Sequence, residues 1–107
     1  MDAELKTKWL AALRSGEYSQ TQQVLHRKDP NGYCCLGVLC EISESGTWDS
    51  DGTYYKFHEK GVDLMAGGAT VQRFLPWTIS SNLANMNDDG TTFPEIADWI
   101  EENVPSD

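Results

Sequence analysis

Leu5, Trp9, Leu10 and Leu13 recur at helical spacing among charged neighbours, which predicts an amphipathic helix from Ala3 to Ser15. Asp2 stands where an N-cap is needed and Gly16 where a helix ends. The next stretch, EYSQTQQVLHR, is polar apart from Val24 and Leu25, and reads as a loop passing into a short extended segment before a DPNG turn. YCCLGVLCEI is apolar nearly all round, a pattern shared by buried helices and buried strands. Leu, Cys and Glu favour a buried central helix, and Gly37 then marks a place where another backbone comes close.

The segment from 45 to 75 is the least regular. GTWDSDGTYYKF predicts a hairpin turning around Asp49 to Gly52, and MAGGATVQRFL places a glycine pair before a third strand. Pro76 opens another helix, with Ile79, Leu83 and Met86 at suitable spacing, and NDDG closes it as a turn. Thr92 followed by Glu95 is a capping-box pattern, and Ile96, Trp99, Ile100 and Val104 give the last helix one apolar stripe. No repeat or linker divides the 107 residues, so residues 1–107 are expected to form one domain. The fold class is α+β: a small single domain with a buried central helix, N- and C-terminal helices packed together, and a short β-hairpin or small sheet in the middle.

Composition narrows the setting. The charged N-terminal stretch lacks an apolar signal core, and no run of about 18 apolar residues occurs, so neither export nor a membrane partner is expected. Three cysteines, two of them adjacent, do not make a disulfide framework and suit a reducing cytoplasm. The net charge is −9, unevenly spread: Lys6, Lys8, Arg14, Arg27 and Lys28 outnumber the acids of the first 28 residues, whereas no Lys or Arg follows Arg73. Asp88, Asp89, Glu95, Asp98, Glu101, Glu102 and Asp107 concentrate negative charge at the other end, which disfavours direct nucleic-acid binding and permits a cationic protein partner.

Three segments carry a resemblance. KWLAALRSGEYSQ, NGYCCLGVLCE and LANMNDDGTTFPEIADWIEEN, in that order, resemble a family of small bacteriophage-encoded proteins marked by a YCCLGVLC-type motif. The likeness covers about half the chain and spares the middle. It implies a phage genome and the cytoplasm of an infected bacterial host; it carries no assigned chemistry.

The thiols admit three readings. Zinc needs four convergent ligands, usually as Cys pairs two to four residues apart, and Cys34, Cys35 and Cys40 lack that spacing even with His26 and His58 added. A catalytic cysteine is the sharper alternative: Cys34 or Cys35 at a helix N-terminus would have a lowered pKa, with His58 as base and Asp49 or Glu59 orienting it. Core packing explains a Leu/Val/Cys run with fewer assumptions, because free cysteine behaves as a small hydrophobe. A calcium loop fails too, since aligning Gly90 to the invariant glycine puts Ile96 where the bidentate acid belongs. No metal or cofactor is expected.

The remaining polar and aromatic groups suggest binding. Arg14, Tyr18 and Gln20 lie at a helix exit, and Trp48, Tyr54, Tyr55, His58 and Arg73 lie in the middle. The leading expectation is a non-enzymatic phage accessory protein that binds and neutralises a host component, possible targets including antiviral defence, through Trp48, Glu95, Asp98, Glu101 and Glu102. The alternative is a sponge for a signalling nucleotide held by Arg14, Tyr18, Gln20, Tyr54, Tyr55 and Arg73. A cysteine-dependent hydrolase using Cys34, Cys35 and His58 comes third.

Overall fold

The computed structural model describes residues 1–28, 31–44, 46–51, 54–59 and 75–106, with the backbone alone at 50, 51, 54 and 56–59. In chain order the described elements are α1 (Ala3–Ser15), β1 (His26–Arg27), β2 (Gly32–Tyr33), α2 (Cys35–Ser43), β3 (Gly46–Asp51), β4 (Tyr54–Glu59), α3 (Trp77–Asp88) and α4 (Phe93–Asn103). The strands form one antiparallel sheet in the order β2-β1-β4-β3. The fold is α+β, with a buried central helix and packed terminal helices as the patterning predicts.

Local chemistry sets the helix ends. Asp2 caps α1 by accepting from the Leu5 amide at 2.9 Å, and Gly16 ends it in the left-handed region at φ 78. Thr92 caps α4, accepting from the Glu95 amide at 3.4 Å. The Glu95 carboxylate answers by accepting from the Thr92 hydroxyl at 2.8 Å, a variant of the reciprocal capping box. α3 closes in a Schellman motif: the Gly90 amide donates to the Asn87 carbonyl at 3.2 Å and the Thr91 amide to the Met86 carbonyl at 3.0 Å. Gly90 supplies the positive φ of 94.

α2 is buried at every position from Cys35 to Cys40, so it needs packing on all sides. α1 and α3 supply it, and α4 packs on both α1 and α3. The Trp9 indole N–H donates to the Cys35 carbonyl at 2.9 Å and joins α1 to α2. The expected close approach at Gly37 is made by Leu25: a Cβ on Gly37 would lie 1.8 Å from the Leu25 carbonyl oxygen. That same carbonyl accepts from the Cys34 amide at 3.0 Å, so the loop preceding β1 is clamped across the start of α2.

Three expectations are adjusted. The hairpin strands pair from Gly46↔Glu59 to Asp51↔Tyr54, so β3 runs through Asp49 to Asp51. Residues 52 and 53 lie outside the described residues, as do the glycine pair and third strand expected in MAGGATVQRFL. On α4 the buried stripe is Phe93, Ile96, Ala97 and Ile100, continued by Val104; Trp99 is half-buried at its edge. On α3 the buried positions are Ser80, Leu83 and Asn87, whereas Ile79 and Met86 are half-buried, because the helix turns a partly polar side towards α2.

Candidate functional site

The thiols come first, since they decide between chemistry and packing. Cys34, Cys35 and Cys40 are all buried and none is in a disulfide. Cys34 is the N-cap of α2, its Sγ accepting from the Gly37 amide at 3.4 Å, and the Cys35 thiol donates to the Leu83 carbonyl at 3.6 Å. The expectation that a helix N-terminus lowers the thiol pKa is overturned. Burial pushes Cys34 up to about 11 against the opposing pull of the Gly37 and Leu36 amides, and it raises Cys35 well above the ordinary thiol value. Desolvation of a thiolate outweighs the amide dipoles. The side chain of His58, the base in the hydrolase reading, lies outside the described residues.

This shift gives an alkaline test. Between the ordinary thiol pKa near 9 and the folded value of about 11, the unfolded chain has lost the Cys34 proton and the folded chain retains it, so stability falls as pH rises. Urea melts at rising pH should lose stability on the order of 2 kcal/mol across that window. At neutral pH a thiol-reactive disulfide reagent should label the folded protein far more slowly than the denatured protein; equal rates would overturn the burial.

The candidate binding residues divide among three places. Arg14 bridges from α1 to α4, with one guanidinium nitrogen 2.8 Å from both Asp98 and Glu101. Gln20 donates to the Asn87 side-chain oxygen at 2.9 Å and to the Thr91 carbonyl at 2.7 Å. Tyr18 sits edge-on to Tyr33 at 5.2 Å. Tyr54 is described by its backbone alone, and Arg73 lies outside the described residues.

The structure does gather the aromatics around His26, whose position on β1 faces the sheet's inner side. The imidazole stacks on Tyr33 at 3.8 Å, tilts against Tyr55 at 4.4 Å and meets the edge of Trp48 at 4.9 Å. Its Nε2 pairs with the Asn31 side-chain oxygen at 2.9 Å, and its buried Nδ1 has no hydrogen-bond partner among the described residues. Trp48 also donates to Glu41 at 2.6 Å, so it is half-buried and tied to α2. The spacing of His26, Tyr33, Trp48 and Tyr55 along the chain does not reveal this cluster; strand pairing His26↔Tyr33 and His26↔Tyr55 creates it.

Asn87 is the polar residue that patterning misses. It is fully buried, donates to the Thr21 carbonyl at 2.7 Å, and accepts from Gln20 and, at 3.2 Å, from the Cys35 amide. One side chain thus satisfies the start of α2, the 20–21 loop and α3 together. Its place in NMNDDG carries only a turn signal.

Among the described residues, an acidic helix face and a cleft are exposed. On α4, Glu95, Asp98, Glu101 and Glu102 are all exposed and, at about 100° per residue, fall within one arc opposite the buried stripe. The second is a cleft of about 160 Å³ between the 23–25 loop, the start of α2 and α3, lined by Val24, Leu25, Cys34, Leu36 and Ala84 with Gln23 and Asp88. The Asp88 carboxylate accepts from the Gln23 amide at 2.7 Å and holds that loop, where Gln23 takes a φ of 71. Among the described residues, no three His, Cys, Asp or Glu side chains are grouped to hold a metal ion, and no helix is long and apolar enough to cross a membrane.

These features define a small α+β domain whose cysteines are buried in the core and whose surface carries an acidic helix face and an apolar cleft. The family described as a domain of unknown function (DUF8296) matches residues 1–66, and the chain belongs to that family. The match spans α1 through β4; α3 and α4 follow it. No curated protein and no solved structure matches the chain.

Proposed function

We propose that this is a non-catalytic phage accessory protein that binds a positively charged host protein in the cytoplasm of the infected bacterium and neutralises it, a component of antiviral defence being one such target. The observation that carries the reading is the acidic arc of α4: four exposed carboxylates, two of them shared with the single cation Arg14, on one side of a helix whose other side is locked into the core. Such a face steers a cationic partner and fixes its orientation. The phage setting rests on the resemblance of the three segments described above. Sequestration of a nucleotide is the poorer reading, because the Arg14 guanidinium is already bridged to Asp98 and Glu101, and Gln20 is bonded to Asn87 and Thr91.

The test is a binding experiment on the full chain. A host protein captured at low salt should be basic, and its association rate should fall severalfold as ionic strength rises from about 0.05 to about 0.3 M. Glu102→Lys, which leaves the Arg14 bridges intact, should slow association further without moving the melting temperature. A salt-independent rate, or a cyclic nucleotide that raises the melting temperature only while Arg14 is present, would overturn the proposal.

A further inference from the structure

The cleft beside Cys34 is not isolated on the surface of α3. Trp77, Ser81, Ala84 and Asp88 stand at i, i+4, i+7 and i+11, so they share one face of the helix, beside the buried Ser80, Leu83 and Asn87. Trp77 is 68% exposed, the one large hydrophobic side chain so exposed among the described residues. It lies about 10 Å along the axis from Ala84, which lines the cleft, and Asp88 lies at the cleft's other side. The face therefore offers an aromatic surface, an apolar recess and a carboxylate in line.

The chemistry of an occupant follows from these groups. A recess of about 160 Å³ is comparable to the cavity of about 150 Å³ that accepts benzene, so it suits one aromatic or branched aliphatic side chain. Its walls are Val24, Leu25, Leu36 and Ala84, which reward burial of such a group. Asp88 is exposed and spends one oxygen on the Gln23 amide, and no Lys or Arg follows Arg73 to neutralise it along α3. A cation next to the buried side chain would meet that carboxylate, and Trp77 is of the residue type that most often dominates protein interfaces.

We infer that the Trp77–Asp88 face of α3 is the docking site for a basic segment of a partner protein, one apolar side chain of which fills the cleft while an adjacent Lys or Arg pairs with Asp88. The inference rests on the proposed partner-binding role and names the contact that gives it specificity. The α4 arc supplies orientation at a distance; the cleft reads one side chain.

The probe is a synthetic peptide, acetyl-Lys-Lys-Phe-Lys-Lys-amide, titrated into the full chain and followed by amide chemical shifts. Saturable shifts are expected at Leu25, Cys34, Ala84 and Asp88, with at least about tenfold weaker binding when Ser replaces Phe or Glu replaces Lys. Ala84→Phe, which fills the recess, should abolish the response. Should that variant not fold, Asp88→Asn and Trp77→Ala decide: both alter exposed side chains, and the Asn oxygen can still accept from Gln23. Each should weaken the Phe peptide at least about threefold. Glu17→Lys, an exposed position outside both the cleft and the α4 arc, should change the peptide's affinity less than about twofold. Equal binding of the Glu peptide, or shifts confined to α4 and unaffected by Asp88→Asn, would overturn the inference. Failure of the Glu102→Lys association test alone would leave the cleft standing and remove only the acidic arc.

Discussion

Gly37→Ala should leave little folded protein, with a loss of more than about 3 kcal/mol. Intrinsic preference runs the other way, since alanine is favoured over glycine inside a helix by about 1 kcal/mol. Packing decides the sign. The added Cβ would sit 1.8 Å from the Leu25 carbonyl oxygen, 2.7 Å from its carbon and 3.3 Å from its Cα, all backbone atoms that cannot rotate aside. Relief requires the 23–25 loop to lift from α2, which breaks the Leu25 to Cys34 amide bond, or α2 to shift against α1 and α3. Gly16→Ala is the control: nothing lies within 4 Å of its Cβ position, and only its φ of 78 resists a side chain, so a loss of about 1 kcal/mol is expected. Urea melts of the two variants give the comparison. A Gly37→Ala protein as stable as the parent would show that Leu25 does not cross the start of α2.

Asn87→Leu should cost about 3 to 5 kcal/mol although leucine is of similar size and the site is fully buried. The loss is one of satisfied polar groups and not of volume. Without the amide, the Thr21 carbonyl loses its donor and the Cys35 amide, among the first N–H groups of α2, loses its acceptor. Gln20 retains only its bond to the Thr91 carbonyl. Hydrogen exchange should then accelerate at the Cys35 amide, whose acceptor is gone, and, as the 20–21 loop loosens, at the Thr21 amide that donates to the Tyr33 carbonyl, ahead of the helix interiors, which a melt alone does not reveal. A leucine variant as stable as the parent, with those amides still protected, would mean that the three-way junction carries no net stabilisation.

The two variants also separate what is local in this molecule from what is not. Helix starts and stops depend on groups within four or five positions of one another: Asp2 with Leu5, Thr92 with Glu95, and Gly90 and Thr91 with Asn87 and Met86. These are readable in the chain because the partners travel together. The need for a glycine at position 37 is readable as well, since a glycine inside an apolar helix implies a close neighbour, but the neighbour's identity is not. Leu25 is followed by β1 and β2 before α2 begins, and only folding lays it across the helix.

The thiols show the same division as a competition. The attraction of helix amides for Cys34 is a local term, legible from its place before LGVLC, whereas its burial depends on α3 and the 23–25 loop, which lie elsewhere in sequence. The nonlocal term is the larger, so the local reading gave the wrong sign.

By itself, then, the order of residues determined the α+β class, the ends of α1 and α4, the central helix and the acidic character of the last segment. Tertiary structure decided which charges stay open and which polar groups go inside. Arg14 meets Asp98 and Glu101 across 84 and 87 positions, Asn87 meets Cys35 across 52, and His26 finds its aromatic neighbours through strand pairing. The physical reason is range: capping and periodicity act over a few residues and leave a mark in the chain. Burial, ion pairing and cleft formation depend on which surfaces meet, and identical residue types serve either outcome.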